Sequence, residues 1–409
     1  MNRMTQPTGK QMLVKNHRPL RIAIFDYRLV PTNAIGNASR RVVKGLRDRY
    51  SFTVFGLEFE NPEPQPVRWV PAPVPRRPLF VLFIAYSLWA YFALWREQRR
   101  QGFRFDIVQS MESNTLIGDI LGIGFCHRAY LRDHWATSRP TGLRGLARWL
   151  DHALHSLTEP MAYRRAHTLV VPASGVEREL LSTYGDLVQG KIVVIPYAVD
   201  VLKMVRPAEY DRAAQRASLN VAPDDLLMVF TALGHFERKG LPLLLEAMAL
   251  VNNPRLKLVV VGGLPGLVAL YKGRAAALGL ASQVIFAGHQ RDIRPFIWSA
   301  DLFAFPSAYE TFSLASFEAA AAGVPLLVTR LHGVEDLLVD GENGWLVTRD
   351  ASDIAAKIKL ALADPLRLKA MGLEAAERAS GYDEARSVSG WAALYENLEA
   401  SGKQQRTSL

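Results

Sequence analysis

The chain has 409 residues, which favours two domains over one, because single domains usually hold about 100–200 residues. With 49% hydrophobic and 22% charged residues it has the composition of a globular protein, which excludes a disordered, collagen-like or coiled-coil chain. One cysteine, Cys126, excludes an internal disulfide and any zinc or iron–sulfur site built from cysteines, and it indicates a reducing compartment.

The positive charge is concentrated in the first half. Residues 1–200 hold 27 of the 49 Lys and Arg and 16 of the 39 Asp and Glu, so nearly all of the net charge of +10 lies there. This predicts an anionic partner: a nucleic acid, an anionic lipid surface or a phosphorylated substrate. Since no nucleic-acid-binding module is recognisable, we do not expect a nucleic acid. Residues 1–19 are polar and basic, and we expect a flexible tail without a secretory signal.

Residues 20–200 alternate apolar, strand-like segments with helix-like ones. This alternation predicts a parallel sheet that is covered by helices on both faces. The predicted strands are 21–30, 51–57, 105–110, 124–131, 167–174 and 191–197.

Residues 79–95 are 17 mainly apolar and aromatic residues without a charge, with arginines on both sides. At about 1.5 Å per residue such a helix reaches ~26 Å, less than the roughly 30 Å of a bilayer core. Three interpretations stay open: a buried domain helix, an interfacial helix docked on a membrane, and a spanning helix. The surrounding alternation argues against the last, because a spanning helix would have to leave its sheet.

Residues 201–222 are polar, lack a clear strand and predict a linker. Residues 223–385 repeat the alternation, and residues 386–409 predict a C-terminal helix and tail that pack back on the first domain. We therefore predict an α/β protein with two doubly wound, Rossmann-like domains that face each other across a cleft. The clearest strands of the second domain are 225–234, 256–263, 283–288, 301–307 and 325–329.

Residues 299–329 carry two carboxylates eight positions apart. Glu310 follows a predicted strand, and Glu318 lies inside a helix that begins near residues 312–314. The free N–H groups and the positive dipole end of that helix make an anion site. Two carboxylates beside it suit a ligand with phosphates and several hydroxyls. The alternative is a loop carboxylate and an exposed helical one without a ligand.

Arg238 and Lys239 lie between a strand that ends at Gly234 and a helix that begins near Leu241. There they would point into the same cleft and could stabilise a departing diphosphate. The alternative is a pair of solvated loop cations.

Three histidines are further candidate site residues. His152 and His155 are three apart on a predicted helix, but a third ligand at fitting spacing is missing, so we expect no metal site. Cys126 and His127 are neighbours on the predicted strand 124–131. Their side chains would then face opposite ways and could not form a nucleophile–base pair.

Taken together, these motifs resemble the retaining glycosyltransferases of family 4, which have the GT-B fold. ETFSLASFE matches the E-x7-E pattern of that family at Glu310 and Glu318, and RKG at 238–240 matches its basic loop. LVDGENGWLV at 338–347 matches a further segment. The similarity runs from about residue 20 to residue 395.

The resemblance implies a nucleotide-diphosphate sugar held mainly by the second domain, a glycan or lipid-linked acceptor held mainly by the first, and no metal or other cofactor. It implies that Arg238 and Lys239 contact the donor diphosphate, that Glu310 lies near the donor sugar and that Glu318 binds the ribose. The remaining implied donor or catalytic residues are the amides of Phe312, Ser313 and Leu314, the histidine His127 and the loop glycine Gly36.

The chain departs from the family pattern at three places. Ile35 precedes Gly36 where the family usually has a second glycine, and Pro196-Tyr197-Ala198 replaces Pro-Asn-Gly. In many members the arginine lies nearer to His235, so either Arg238 or His235 could take its role.

We thus expect a hexosyltransferase that acts without a carboxylate nucleophile, the leaving phosphate accepting the proton of the acceptor. The expected setting is bacterial-type lipopolysaccharide or exopolysaccharide synthesis, in the cytoplasm and peripheral to the inner face of the plasma membrane. The alternative is a GT-B-shaped protein that holds a nucleotide sugar or a partner without turnover.

Overall fold

The computed structural model describes residues 18–63, 66–111, 114–138 and 142–407. The predicted tail, 1–19, lies outside these residues except for its last two positions.

The first domain is built from strands and helices that alternate along residues 21–194. In chain order they are β1 (Arg21–Phe25), β2 (Arg28–Leu29), α1 (Ala34–Leu46), β3 (Ser51–Gly56), β4 (Glu58–Phe59), β5 (Arg68–Pro71), α2 (Leu79–Gln101), β6 (Ile107–Met111), β7 (Ile120–Gly122), α3 (His127–Asp133), α4 (Trp135–Ser138), α5 (Gly142–Arg165), β8 (Thr168–Val171), α6 (Ser174–Tyr184) and β9 (Ile192–Val194), with a 3₁₀ turn at Gly185–Leu187.

The rest of the chain repeats this alternation and ends in three helices. In chain order the elements are α7 (Val201–Met204), α8 (Arg212–Ser218), β10 (Leu226–Thr231), α9 (Leu241–Val251), β11 (Leu256–Val261), α10 (Pro265–Ala277), β12 (Val284–Gly288), α11 (Arg294–Ser299), β13 (Leu302–Phe305), α12 (Leu314–Ala321), β14 (Leu326–Thr329), α13 (Val334–Leu337), β15 (Gly344–Val347), α14 (Ala351–Ala363), α15 (Pro365–Ser380) and α16 (Glu384–Thr407).

Both large sheets are parallel and doubly wound. The first has the order β5-β3-β1-β6-β7-β8-β9 and the second β12-β11-β10-β13-β14-β15, while β2 and β4 form a small ribbon. In each sheet the chain runs outward to one edge and then returns to the centre to build the other half. Their central strands are mainly apolar, and all six residues of β10 are buried, as in strands that are covered on both faces. The predicted α/β class with two doubly wound domains is confirmed.

Several local predictions were incomplete. Residues 201–222 hold no strand, as expected, but they do form the two short helices α7 and α8. Strands β5, β7 and β15 were not predicted. The strand predicted at 124–131 is wrong, since a helix begins at His127.

The last helix, α16, returns to the first domain. The Tyr395 hydroxyl donates to Oε1 of Gln109 in β6 at 2.6 Å, and both residues are buried. Val388 of the same helix packs on Gly45 of α1. The chain therefore crosses between the two sheets twice.

Helix α2 is longer than the 17 apolar residues predicted, with 23 residues. One side packs on the first sheet, where the buried Tyr86 hydroxyl donates to the Phe55 carbonyl at 2.6 Å. The other side is open, and Leu88 and Tyr91 are each 71% exposed, so the interpretation of a fully buried helix is wrong. Within the described part of the chain, α2 alone is long and apolar enough to cross a membrane.

Candidate active site

The candidate site lies where the second sheet reverses its strand order. β10 and β13 are parallel neighbours in that sheet, and the chain leaves them in opposite directions, toward β11 on one side and β14 on the other. The loops that follow the two strands therefore open a crevice at the carboxyl edge of the sheet, where doubly wound proteins bind their ligands.

The two loops are held tightly against each other. The Ala308 N–H donates to the Arg238 carbonyl at 2.8 Å. Gly240 has a left-handed backbone, φ +85°, and a Cβ there would lie 2.2 Å from the Pro306 carbonyl oxygen. A side chain at position 240 would push the loops apart, so this glycine sets the distance between the cationic loop and the carboxylate loop.

Three of the predicted site residues converge in this crevice. Lys239 Nζ lies 3.1 Å and Arg238 Nη1 3.2 Å from Oε1 of Glu310. The Ser307 hydroxyl donates to the same oxygen at 3.1 Å, and Arg238 also donates to the Tyr309 carbonyl. Burial lowers the pKa of Lys239, and the Glu310 carboxylate offsets part of that effect. The site thus holds two cations on one carboxylate, with all three side chains partly buried.

The start of α12 differs from the expectation of three free amides. Ser313 precedes the helix, and its hydroxyl pairs with that of Ser316 at 2.8 Å. The Leu314 N–H donates to the Phe312 carbonyl at 2.9 Å, so this amide already has an acceptor. The Phe312 ring stacks on Phe317 at 4.3 Å.

Glu318 lies one turn further along α12 and faces the first domain. Burial raises the pKa of its carboxyl to about 7, and the Arg41 guanidinium of α1 offsets part of this rise. A carboxyl that titrates near neutrality in a crevice is typical of a ligand-binding position.

Gly36 packs closely against the first strand of the small ribbon. It lies in the first turn of α1, and its N–H donates to the Asn33 side chain at 2.8 Å as part of the helix cap. A Cβ at this position would lie 1.7 Å from the Arg28 carbonyl oxygen. The structure therefore gives Gly36 a close contact with β2, whereas donor contact stays a prediction.

His127 is the first residue of α3 and not part of a strand. Its N–H donates to Oε1 of Glu159 at 2.7 Å, and the Arg128 N–H donates to the other carboxylate oxygen at 3.3 Å. Glu159 is buried, which raises its pKa to about 7. This carboxylate satisfies the free amides of the helix start. Burial also raises the pKa of the Cys126 thiol, which leaves it a poor nucleophile.

Three histidines form one cluster beside the crevice. His127 Nδ1 lies 3.0 Å from His152 Nδ1, so one of them donates and the other accepts, and the rings of His127 and His155 stack at 4.2 Å. Burial lowers the pKa of His127 well below its usual range and that of His152 to about 4. His127 is thus a third histidine beside His152 and His155, which their spacing in the sequence did not predict. Nevertheless, the residues that the structure describes include no group of three His, Cys, Asp or Glu placed to hold a metal.

A cavity of about 230 Å³ joins the two domains above Glu310. His152, rather than His127, forms part of its wall, and both candidates for the arginine role, Arg238 and His235, line it. Burial and the nearby Arg238 lower the pKa of His235. Three aromatic side chains of the first domain face these groups across the cavity. The wall consists of Phe125, Tyr130, Trp135, Arg148 and His152 from the first domain, and His235, Arg238, Tyr309, Glu310 and Thr311 from the second.

Sequence reasoning missed the contacts that join the domains beside this cavity. Glu179 of α6 accepts a hydrogen bond from the Tyr309 hydroxyl at 3.1 Å and lies 3.3 Å from Nε2 of His332. Arg178 pairs with Glu335 next to them. These partners are more than 120 residues apart in the chain, so no local motif marks them.

Two family models match the chain, one on each domain. The model described as "Glycosyltransferase Family 4" matches residues 35–202, and "Glycosyl transferases group 1" matches residues 211–378. Together they cover most of the chain.

Curated relatives carry related names. A D-inositol 3-phosphate glycosyltransferase of Nocardia farcinica is 32% identical over 57% of this chain and 53% of its own length. The lipopolysaccharide core biosynthesis glycosyltransferase LpsE of Rhizobium meliloti is 36% identical over 37% of this chain and 44% of its own length. The chain thus spans about half the length of such relatives.

Solved structures show the same architecture. WaaG, a glycosyltransferase involved in lipopolysaccharide biosynthesis, has a TM-score of 0.73 at 17% identity and covers 91% of this chain and 99% of its own. Anabaena HepE in complex with UDP and glucose has a TM-score of 0.69 at 18% identity and covers 92% and 99%. With both halves matched and the GT-B architecture in place, the chain belongs to glycosyltransferase family 4.

Proposed function

We propose that this chain transfers a hexose from a nucleoside diphosphate sugar to a glycan or lipid-linked acceptor. The observation that carries the proposal is the convergence of Arg238 and Lys239 on Glu310 at the floor of the cavity between the domains. The residues 223–385 would hold the donor and the residues 20–200 the acceptor. The HepE structures, whose titles name UDP and UDP-glucose, support a nucleotide sugar as the donor class.

The two cations would stabilise the departing diphosphate. The bond between the anomeric carbon and the diphosphate oxygen breaks, and the electron pair leaves with the diphosphate. The acceptor hydroxyl bonds to the anomeric carbon on the same face and gives its proton to the leaving phosphate, so the configuration is retained. Arg238 and Lys239 supply the positive charge that a metal ion supplies elsewhere, and their value is greatest in a site shielded from water.

The remaining residues would position the substrates. Glu318 accepts hydrogen bonds from the ribose hydroxyls, and Glu310 orients the donor sugar. The aromatic wall of Phe125, Tyr130 and Trp135 faces the acceptor. His152 lines the cavity on the side where the acceptor would bind, and His127 forms a hydrogen bond with His152 from outside the cavity wall.

The setting follows from the first domain. Its basic balance and the open side of α2 support an acceptor presented at the inner face of a plasma membrane, and synthesis of a cell-surface glycan. LpsE and WaaG, named for lipopolysaccharide synthesis, support that class of product.

A donor panel tests the proposal. The purified chain is melted with uridine, guanosine and adenosine diphosphate sugars, and one of them should raise the melting temperature, since ligand at 100 times its Kd stabilises by about 2.7 kcal/mol. The same donor should be slowly hydrolysed, and NMR of a transferred product should show the donor's anomeric configuration. Donor binding without any release of sugar would indicate a binding protein and overturn the proposal. An unchanged melting temperature with every donor would also overturn it.

A further inference from the structure

The open side of α2 carries a continuous row of large apolar side chains. Ile84, Leu88, Tyr91, Phe92 and Trp95 follow each other at intervals of one, three or four residues, which places them on one side of the helix. All five are exposed. Tyrosine and tryptophan in such a row suit a membrane interface, because each joins an apolar ring to a polar group.

Helix α5 carries a second row, which the sequence alone did not single out. Leu143, Leu146, Leu150, Leu157 and Met161 recur at heptad-like spacing and are all exposed, Leu143 by 86% and Leu157 by 72%. A stripe of this kind normally faces a core or a partner helix. Here it faces outward over the length of a 24-residue helix.

The two helices pack against each other. The rings of Phe83 in α2 and His155 in α5 pack with centroids 4.1 Å apart, and Ile84 and Leu157 lie within one turn of this contact. We name the ten exposed apolar side chains of the two rows the α2–α5 face. Contiguous apolar surfaces of this extent mark interaction sites.

The exposed charges that α2 and α5 themselves carry are of one sign. The acidic residues of the two helices, Glu97, Asp151 and Glu159, are all buried. The exposed arginines include Arg96, Arg99 and Arg100 at the end of α2 and Arg164 and Arg165 at the end of α5. A second copy of this chain would bring like charges together. An anionic bilayer offers the opposite charge together with an apolar interior.

Helix α5 also forms part of the cavity wall. Arg148 and His152 line the cavity, while Trp149 and Leu150 between them are exposed. The same turns of α5 therefore line the cavity with one side and carry the exposed apolar row on another.

We propose that the α2–α5 face docks on an anionic lipid bilayer and so holds the acceptor side of the cavity at the membrane surface. The role for a lipid-linked acceptor rests on the proposed function, whereas the docking itself does not. α2 lies along the surface and keeps its contacts with the first sheet, so the chain is held at the membrane without crossing it.

Liposome flotation of the full chain tests the docking. The wild-type chain should float with phosphatidylcholine vesicles that contain phosphatidylglycerol, and less with pure phosphatidylcholine or at high salt. Leu143→Ser with Leu157→Ser, on α5 alone, should lower the bound fraction about tenfold, because two apolar side chains no longer enter the bilayer. The matched control is Leu366→Ser with Leu373→Ser on α15, whose leucines are 81% and 68% exposed, and it should bind as the wild type does.

The outcomes separate this proposal from the proposed function. Donor-induced thermal stabilisation and donor hydrolysis without vesicles should be unchanged in the α5 variant, which shows that it is folded. Normal flotation of that variant would overturn the role of α5. A failure of the wild-type chain to float would overturn the docking, and so would a dimer that the α5 substitutions dissociate. A chain that floats but releases no sugar would refute the proposed function and leave the docking standing.

Discussion

Glu310 lies within 3.2 Å of both cations that the proposed chemistry requires, at a single carboxylate oxygen. Lys239 is the more buried point charge, and burial lowers its pKa, so a diphosphate beside it favours the charged form. Lys239→Ala should therefore lower turnover by about a hundredfold or more, as expected for a lost group that stabilises developing charge. Steady-state rates with the donor identified by the thermal panel give the measurement.

The control for this prediction is Lys272→Ala, which removes an exposed lysine from α10 in the same domain. It should keep the wild-type rate. A Lys239→Ala enzyme with near-normal turnover would remove this residue from the mechanism.

The charged Glu318 carboxylate should stabilise the bound ligand but destabilise the folded chain without ligand. Its pKa is raised from 4.5 to about 7, so between these pH values the folded chain binds more protons than the unfolded chain. The free energy of unfolding must then fall as the pH rises through this window, and the penalty is complete above pH 7. Glu318→Gln removes the cost of ionising this buried carboxyl. That cost is on the order of 1–3 kcal/mol of unfolding free energy, because one pKa unit corresponds to about 1.4 kcal/mol.

We therefore expect Glu318→Gln to melt above the wild type at pH 8 and close to it at pH 4.5, in thermal scans across that range. Its affinity for a nucleoside diphosphate should fall about tenfold or more, since a hydrogen bond to a charged group contributes about 1.5–3 kcal/mol. Glu246→Gln, an exposed carboxylate on α9, should change neither quantity. A variant that binds normally would show that Glu318 does not meet the ribose.

The sequence was enough to predict the position of those site residues that follow directly from the order of the strands. Arg238, Lys239 and Glu310 each follow a strand next to the reversal point, and parallel strands bring such loops together whatever the remaining details. The partner of Leu314 and the site of His152 could not be predicted in this way. The first depends on a tight turn in which the Leu314 N–H donates to the Phe312 carbonyl, and the second on the packing of α5 against α3. The spacing of residues in the sequence reveals neither.

At the scale of single elements, Gly36 poses a choice between packing and donor contact. A Cβ there would lie 1.7 Å from the Arg28 carbonyl oxygen, so α1 or β2 would have to move. Gly36→Ala should lower the free energy of unfolding by about 1–3 kcal/mol, the usual cost of overpacking, in urea denaturation. Gly273→Ala is the control, because a Cβ at that position of α10 meets open space and should stabilise its helix by about 0.5–1 kcal/mol.

Should Gly36→Ala be as stable as the wild type and yet lose donor affinity, packing would not explain this glycine and donor approach would.

The start of α3 shows why one element was misassigned. Residues 124–131 have the apolar and aromatic composition of a strand, which led to that prediction. The helix begins at His127 because Glu159, 32 residues later, accepts its N–H and that of Arg128. A cap that comes from a distant helix leaves no mark within the segment itself. Tertiary contacts decided the conformation here, whereas central strands such as β10 and β11 are marked by their own apolar runs.

At the scale of the whole molecule, the two domains are joined beside the cavity by groups that also touch its wall. Tyr309 lines the cavity and binds Glu179 across the domain boundary, and it directly precedes Glu310. The arrangement of the domains and the position of the carboxylate loop are therefore linked through one residue. The second crossing of the chain, at α16, ties the same domains on the other side.

Glu179→Ala should allow the domains to separate. It removes the acceptor of the Tyr309 hydroxyl and the neighbour of His332, so the joined arrangement loses two contacts. Small-angle X-ray scattering should show a larger radius of gyration than the wild type, and added donor should reverse the change, because the cavity proposed to hold the donor is lined by both domains. Apparent donor affinity should fall by up to about tenfold if the lost contacts are worth about 1.4 kcal/mol. Glu177→Ala on the same helix is the control and should leave the scattering profile unaltered. An unchanged radius for Glu179→Ala would mean that the contacts of Glu179 do not set the domain arrangement, and that Tyr309 does not couple it to Glu310.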